Sequence, residues 1–116
     1  MLRLTPELLS RCYALLRETK PFCRWALPSA AQVRFSVLRT YALWADYQLK
    51  DGEHHIRASQ SRHSRLETLL ASMAHEMVHL RLETSGCRDR SDHGPHFRRL
   101  ARQVCKHHPM FDSHNF

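Results

Sequence analysis

His75 and His79 stand four residues apart, with Glu76 directly after the first, in the stretch LLASMAHEMVHLRLETSG that runs from residue 69 to 86. On a helix, positions i and i+4 project from one face, so two imidazole nitrogens can reach a single Zn²⁺ at about 2.0–2.1 Å. The carboxylate one residue on points beside such an ion rather than at it. There it can take a proton from a water whose pKa the metal lowers to roughly 7, and later return that proton to a leaving amine. The chemistry written in this spacing is metal-assisted hydrolysis, with His75 and His79 as metal ligands and Glu76 as general base.

A catalytic zinc takes three protein ligands and keeps one position open. A metzincin would place glycine at position 82 and histidine at 85, where this chain has Leu82 and Ser85. The three-histidine pattern of metal-dependent endoribonucleases fails at the same position 85. The remaining third donors lie downstream: Glu83, Asp89, Asp92, His93 and His96. Glu83, one turn past His79 on the same helix, is badly placed to close a tetrahedron and better suited to hydrogen-bonding His79. His93 opens the next helix, after a loop long enough to fold back over the first.

These residues need a rigid support. On a helical wheel at about 100° per residue, Leu66, Leu69, Leu70, Met73, Met77 and Leu80 fill one broad side, extended by Ala71, Ala74, Val78 and Leu82. Thr68, Ser72, His75, Glu76, His79 and Glu83 form the one narrow polar stripe. The helix is predicted from about Leu66 to a stop at Gly86, wrapped by protein except along the line that holds both histidines. Upstream, Thr5-Pro6-Glu7 opens a first helix with an N-cap hydroxyl, a proline at the first helical position and an acid beside the positive dipole end. Leu8, Leu9, Cys12, Leu15 and Leu16 give it an apolar face, Pro21 limits it, and residues 22–31 read as a connection.

The period then changes from 3.6 to 2. Val33, Phe35 and Val37 alternate with polar residues, as do Tyr41, Leu43, Ala45, Tyr47 and Leu49. Asp51-Gly52 is a hairpin signal, and HHIRAS at 54–59 supplies a third short strand. A polar loop (60–65) leads into the long helix, and another (87–92) into a last helix that begins near His93, carries Pro95 in its first turn and buries Phe97, Leu100, Ala101 and Val104. The expected fold class is α+β: an N-terminal helix, a three-stranded antiparallel sheet, the helix with the two histidines and a C-terminal helix carrying the third ligand. The tail from about His107 is expected to be loosely held.

HEMVH (75–79) together with DHGPHF (92–97) resembles the SprT-like zinc metalloproteases, which pair an H-E-x-x-H helix with a later H-G-x-x-F element. ETLL at 67–70 and the strand-like HHIRAS agree with that family's flanks, and the resemblance covers roughly residues 30–105. It implies a small zincin-like domain, with His75, His79 and His93 as zinc ligands, Glu76 as general base, Gly94 letting the backbone pass close to the site and Phe97 anchoring the last helix. It also implies a DNA-dependent endopeptidase acting on proteins bound or crosslinked to DNA, a role in DNA–protein crosslink repair. His96 stands where family members often carry glutamate.

The 116 residues (13.7 kDa) carry a formal charge of +7. That positive charge is mostly arginine, whose planar fork suits phosphate, so nucleic acid is an expected partner beside the protein substrate. Arg62, Arg65, Arg81, Arg88, Arg90, Arg98, Arg99 and Arg102 flank the site in sequence, and Trp25, Trp44, Tyr41 and Tyr47 are aromatics able to stack on bases or fill the core. Tyr41, Tyr47, His96 and Arg81 are candidates to stabilise an oxyanion. Cys12, Cys23, Cys87 and Cys105 form no C-x-x-C pair, which argues against a zinc ribbon and for reduced thiols in a cytoplasmic protein. No stretch of 18 apolar residues exists, so no membrane span is expected. One domain over 1–116 is expected. Two rival functions stand beside the peptidase acting on DNA-associated proteins: a DNA-binding module with a structural zinc and no proteolysis, and a regulator-specific peptidase independent of DNA.

Overall fold

The computed structural model describes residues 2–111 and 116. Helix α1 spans Pro6–Arg17; the Thr5 side chain accepts a hydrogen bond from the Leu8 amide at 3.0 Å, and Pro6 occupies the first turn, where its missing N–H costs nothing. Its inner face is Leu9, Cys12, Tyr13 and Leu16, whereas Leu15 is exposed. Tyr13 joins the core because its hydroxyl donates to the Pro28 carbonyl, so the ring is buried without stranding a polar atom.

Three strands follow: β1 (Val33–Leu38), β2 (Ala45–Lys50) and β3 (Glu53–Ser59). The β2–β3 hairpin turns at Asp51-Gly52, both at positive φ (53° and 76°), as a two-residue turn matched to strand twist requires. The sheet is mixed, which corrects the expected antiparallel arrangement: the order is β1-β3-β2, with β1 parallel and β2 antiparallel to β3. Residues 39–44 form the connection, not the start of the second strand. They pass over the C-terminal end of β3, where Ser59 pins them: its Oγ accepts from the Thr40 amide and donates to the Thr40 carbonyl, and its own amide donates to Trp44. Alternation of apolar residues identifies a strand but not its neighbour, so the insertion of β3 between the other two is invisible to it.

Helix α2 (Leu66–Ser85) packs against α1, β2 and β3, and ends at Gly86 in the left-handed conformation (φ 72°). It buries Leu69, Met73, Met77, Val78 and Leu80 into one cluster with Leu9, Tyr13, Phe22 and Ile56. Helix α3 (Pro95–His107) packs on α2 through Phe97, Leu100 and Val104. The chain beyond α3 is held rather than loose as far as Phe111: the His108 ring bonds the Lys20 carbonyl and the Thr19 hydroxyl, and Phe111 is buried. The rest of the expected loose tail, residues 112–115, lies outside the described residues. Among the described residues no helix is long and apolar enough to cross a membrane.

His63 fixes α2 to the end of the sheet. It is buried, its Nδ1 donates to the Ser59 carbonyl and its Nε2 accepts from the Ser72 hydroxyl, both at 2.7 Å. Burial lowers its pKa, with the Ser59 bond opposing. His63→Ala should therefore destabilise the protein by about 2 kcal/mol at pH 7.5, because the carbonyl of buried Ser59 and the half-buried Ser72 hydroxyl lose their partner. The unfolded imidazole takes up a proton below about pH 6.5 that the folded one resists, so the parent loses this advantage as the pH falls. Urea unfolding of parent and variant should show the gap shrinking between pH 7.5 and pH 5.5.

Candidate metal centre

Helix α2 projects His75 and His79 from one face, one turn apart, and the segment before α3 brings His93 to meet them. One nitrogen from each ring lies within 4.8 Å of the others, and His75 Nε2 and His93 Nε2 are 3.1 Å apart. The ring centroids form a nearly equilateral triangle, with sides of 5.1, 4.9 and 5.2 Å. Two nitrogens each about 2.0–2.1 Å from a tetrahedral zinc would be separated by a little over 3 Å, so the donor set fits such an ion. Under the triangle lies Phe97. Its ring is 4.9, 4.6 and 4.5 Å from the imidazoles of His75, His79 and His93, and it is buried.

The other candidate ligands stand apart from this group. His96 hydrogen-bonds Arg99 through its ring, and Glu83 pairs with Arg88 rather than His79. Asp92 lies 3.6 Å from His93 Nε2 but is an exposed side chain. Among the described residues only the three histidines form the cluster, with no fourth protein donor.

Glu76 is 5% exposed and makes no hydrogen bond or ion pair with another described residue. Burial pushes its carboxyl up to about 8, and the nearby carboxylates of Asp46 and Asp92 push the same way. Burial also drives His75 down to about 4, helped by His79 and His93 against Asp92. His79 moves down for the same leading reason. At neutral pH the two helical histidines are therefore uncharged, with lone pairs free to bind a cation.

Two cavities open on either side of this line, of about 660 and 790 Å³, and both are lined by Ala45, His75 and Glu76. The first is charged, walled by Asp46, Glu83, Arg88 and Arg90; the second carries an apolar wall of Trp44, Ala71, Met110 and Phe111, with Arg65 and Glu67 also lining it. Together they make a cleft between α2 and β2, the outer strand that pairs with β3 alone. The sequence profile of the SprT-like family matches residues 12–114, most of the chain. The chain belongs to the SprT-like family. That family is related to the zinc metalloproteases. No curated protein matches the chain significantly.

In this SprT-like chain the four oxyanion candidates separate clearly. Tyr47 lines the charged cavity beside His75 and Glu76, with its hydroxyl 2.6 Å from His54 Nδ1. Arg81 is used elsewhere, on the Trp25 carbonyl, and Tyr41 faces outward. Trp25 is core, whereas Trp44 is half exposed. None of the four cysteines is in a disulfide.

Asp89 has a role that sequence reading missed, since it counted only as a possible ligand. Its carboxylate accepts from the His96 and Phe97 amides at 3.0 and 2.9 Å, capping α3 in place of Gly94, which occupies the N-cap position without a side chain. Burial would raise the Asp89 carboxyl, but these two amides, together with the nearby His96 and Arg98 side chains, hold it low. A Cβ on Gly94 would fall 2.6 Å from Asp89 Cβ and Cγ, so glycine there and aspartate at 89 depend on each other. The pair fixes the backbone that carries His93. Asp89→Gly, which removes both the carboxylate and the Cβ, and Gly94→Ser should each lower the thermal midpoint by several degrees and weaken zinc binding about tenfold. The double variant should recover most of both, because a serine at the N-cap can then accept the freed amides. Calorimetry and competitive zinc titration of the three proteins measure this.

Proposed function

We propose that this protein is a zinc-dependent endopeptidase of SprT-like type with a zincin-like site, in which His75, His79 and His93 hold Zn²⁺ and Glu76 is the general base. One observation carries the reading: three imidazole nitrogens converge with no fourth donor among the described residues, beside a buried carboxyl that no described residue partners, in an open cleft. A structural zinc site would need that fourth donor, and His96 and Asp92 stand outside the cluster. A bound zinc ion would supply the positive charge that polarises a peptide carbonyl and acidifies a water. Glu76, held at about 8 by burial and brought to its ionised form by the positive charge of the bound ion, would accept the proton of the attacking water on its carboxylate and deliver it to the departing amide nitrogen. His75 and His79, uncharged at neutral pH, would offer the ion lone pairs free of competing protons, and His93 would complete the donor set. The outer edge of β2 would align an extended peptide along the cleft.

The substrates proposed are proteins associated with or crosslinked to DNA, met in the cytoplasm. Support comes from the net charge of +7 and from an exposed cluster near the cleft. Tyr41 is 70% exposed and Trp44 48% exposed, and the Arg62 guanidinium lies 5.4 Å from each ring. Two aromatic faces with a cation between them suit unpaired bases and their phosphates.

Glu76→Gln should retain zinc and lose cleavage of a DNA-binding protein by at least about a hundredfold. His75→Ala should lose metal and activity together. Metal content by atomic spectrometry beside a gel assay tests both, and a Glu76→Gln protein as active as the parent removes the assignment. Tyr41→Ala, at a ring that lines neither cavity, should weaken single-stranded DNA binding about fivefold or more, read by fluorescence polarisation, while leaving cleavage of a short peptide within about twofold.

A further inference from the structure

The two ends of the cleft differ in chemistry. The end away from Glu83 and Arg88 has an apolar wall of Trp44, Ala71, Met110 and Phe111, with Arg65 and Glu67 also lining it, and it reaches His75 and Glu76. An aromatic ring already sits there. Phe116 stacks on Phe111 with centroids 5.9 Å apart and an interplanar angle of 18°, and its ring centroid is 5.6 Å from that of His75. The space therefore accepts a phenyl group within one ring contact of the candidate metal centre. Trp44 and Met110 are exposed large apolar side chains on its rim, and a bound side chain would cover them.

We propose that this apolar end is a specificity subsite for one large apolar side chain of a peptide, adjacent to the bond placed over Glu76, and that Phe116 marks its seat. The proposal rests on the peptidase reading for the position of that bond, but not for the binding itself. Sequestering a leucine- or phenylalanine-sized side chain from water gives tenfold or greater discrimination over alanine, and about the same or more over a charged residue. The opposite end, with its mixed charges, has no comparable apolar wall.

The test uses the zinc-loaded full chain carrying Glu76→Gln, and capped pentapeptides Gly-Gly-X-Gly-Gly with X as phenylalanine, leucine, alanine or aspartate, titrated by calorimetry. The phenylalanine and leucine peptides should bind about tenfold or more tightly than the other two. Ala71→Leu, which fills the space, and Met110→Asp, which puts a charge on its exposed rim, should each abolish the difference while the thermal midpoint stays near the parent's. Phe116→Ala should tighten the phenylalanine peptide by vacating the seat; weaker binding there would overturn the claim that this ring marks it. Equal affinities for all four peptides, or a preference that survives both wall variants, would overturn the subsite. Cleavage of the same peptides by the parent is scored separately. Turnover without an apolar preference sinks the subsite and leaves the peptidase reading standing, whereas selective binding without turnover does the reverse.

Discussion

The Phe97 ring must be kept away from water, and the way the chain achieves this also sets the geometry of the cleft. That ring touches all three imidazoles from below while its helix leans on α2 through Leu100 and Val104. The contact that buries α3 is thus the contact that brings His93 toward His75 and His79. A metal centre built from two segments needs them held to a fraction of an ångström, and packing against a shared apolar floor does this without spending polar groups. The same arrangement lowers the local dielectric, which is why the helical histidines resist protonation and Glu76 resists ionisation.

The carboxylates around the centre are sorted by what they touch. Asp46 is engaged by Arg57 across the β2–β3 ladder, Asp89 by two amides of α3, and Glu83 by Arg88. Glu76 alone among these is buried and left without a partner among the described residues. A carboxyl kept in that state stays responsive to whatever charge enters the cleft, whereas its neighbours are already committed to holding the scaffold.

Much of this was legible because local chemistry decides it. Thr5-Pro6, Asp51-Gly52 and Gly86 each mark a boundary through a cap or a backbone angle that few other residues supply, and the helix bounds follow. The polar stripe of α2 gave the relation of His75, Glu76 and His79, since helical spacing is fixed. The approach of His93 came from the resemblance to the SprT-like family and not from periodicity. What stayed hidden depends on contacts distant in sequence. The place of β3 between β1 and β2 rests on pairing that alternation does not encode. The capping of α3 from Asp89 looks like an ordinary loop acid until the missing side chain at Gly94 is seen beside it. Burial of Phe111 likewise needs the groove it fills.

The strand order has a consequence for how the molecule comes into being. A chain emerging from the ribosome exposes β1 first and β2 next, and neither can pair with the other, because the strand both require follows them in sequence. Until residue 59 is out, about half of the 116-residue polypeptide holds two orphan strands with open edges, a state prone to wrong partners. Arrival of β3 completes both ladders together, and only afterwards can the helix bearing the two histidines find a surface to rest on.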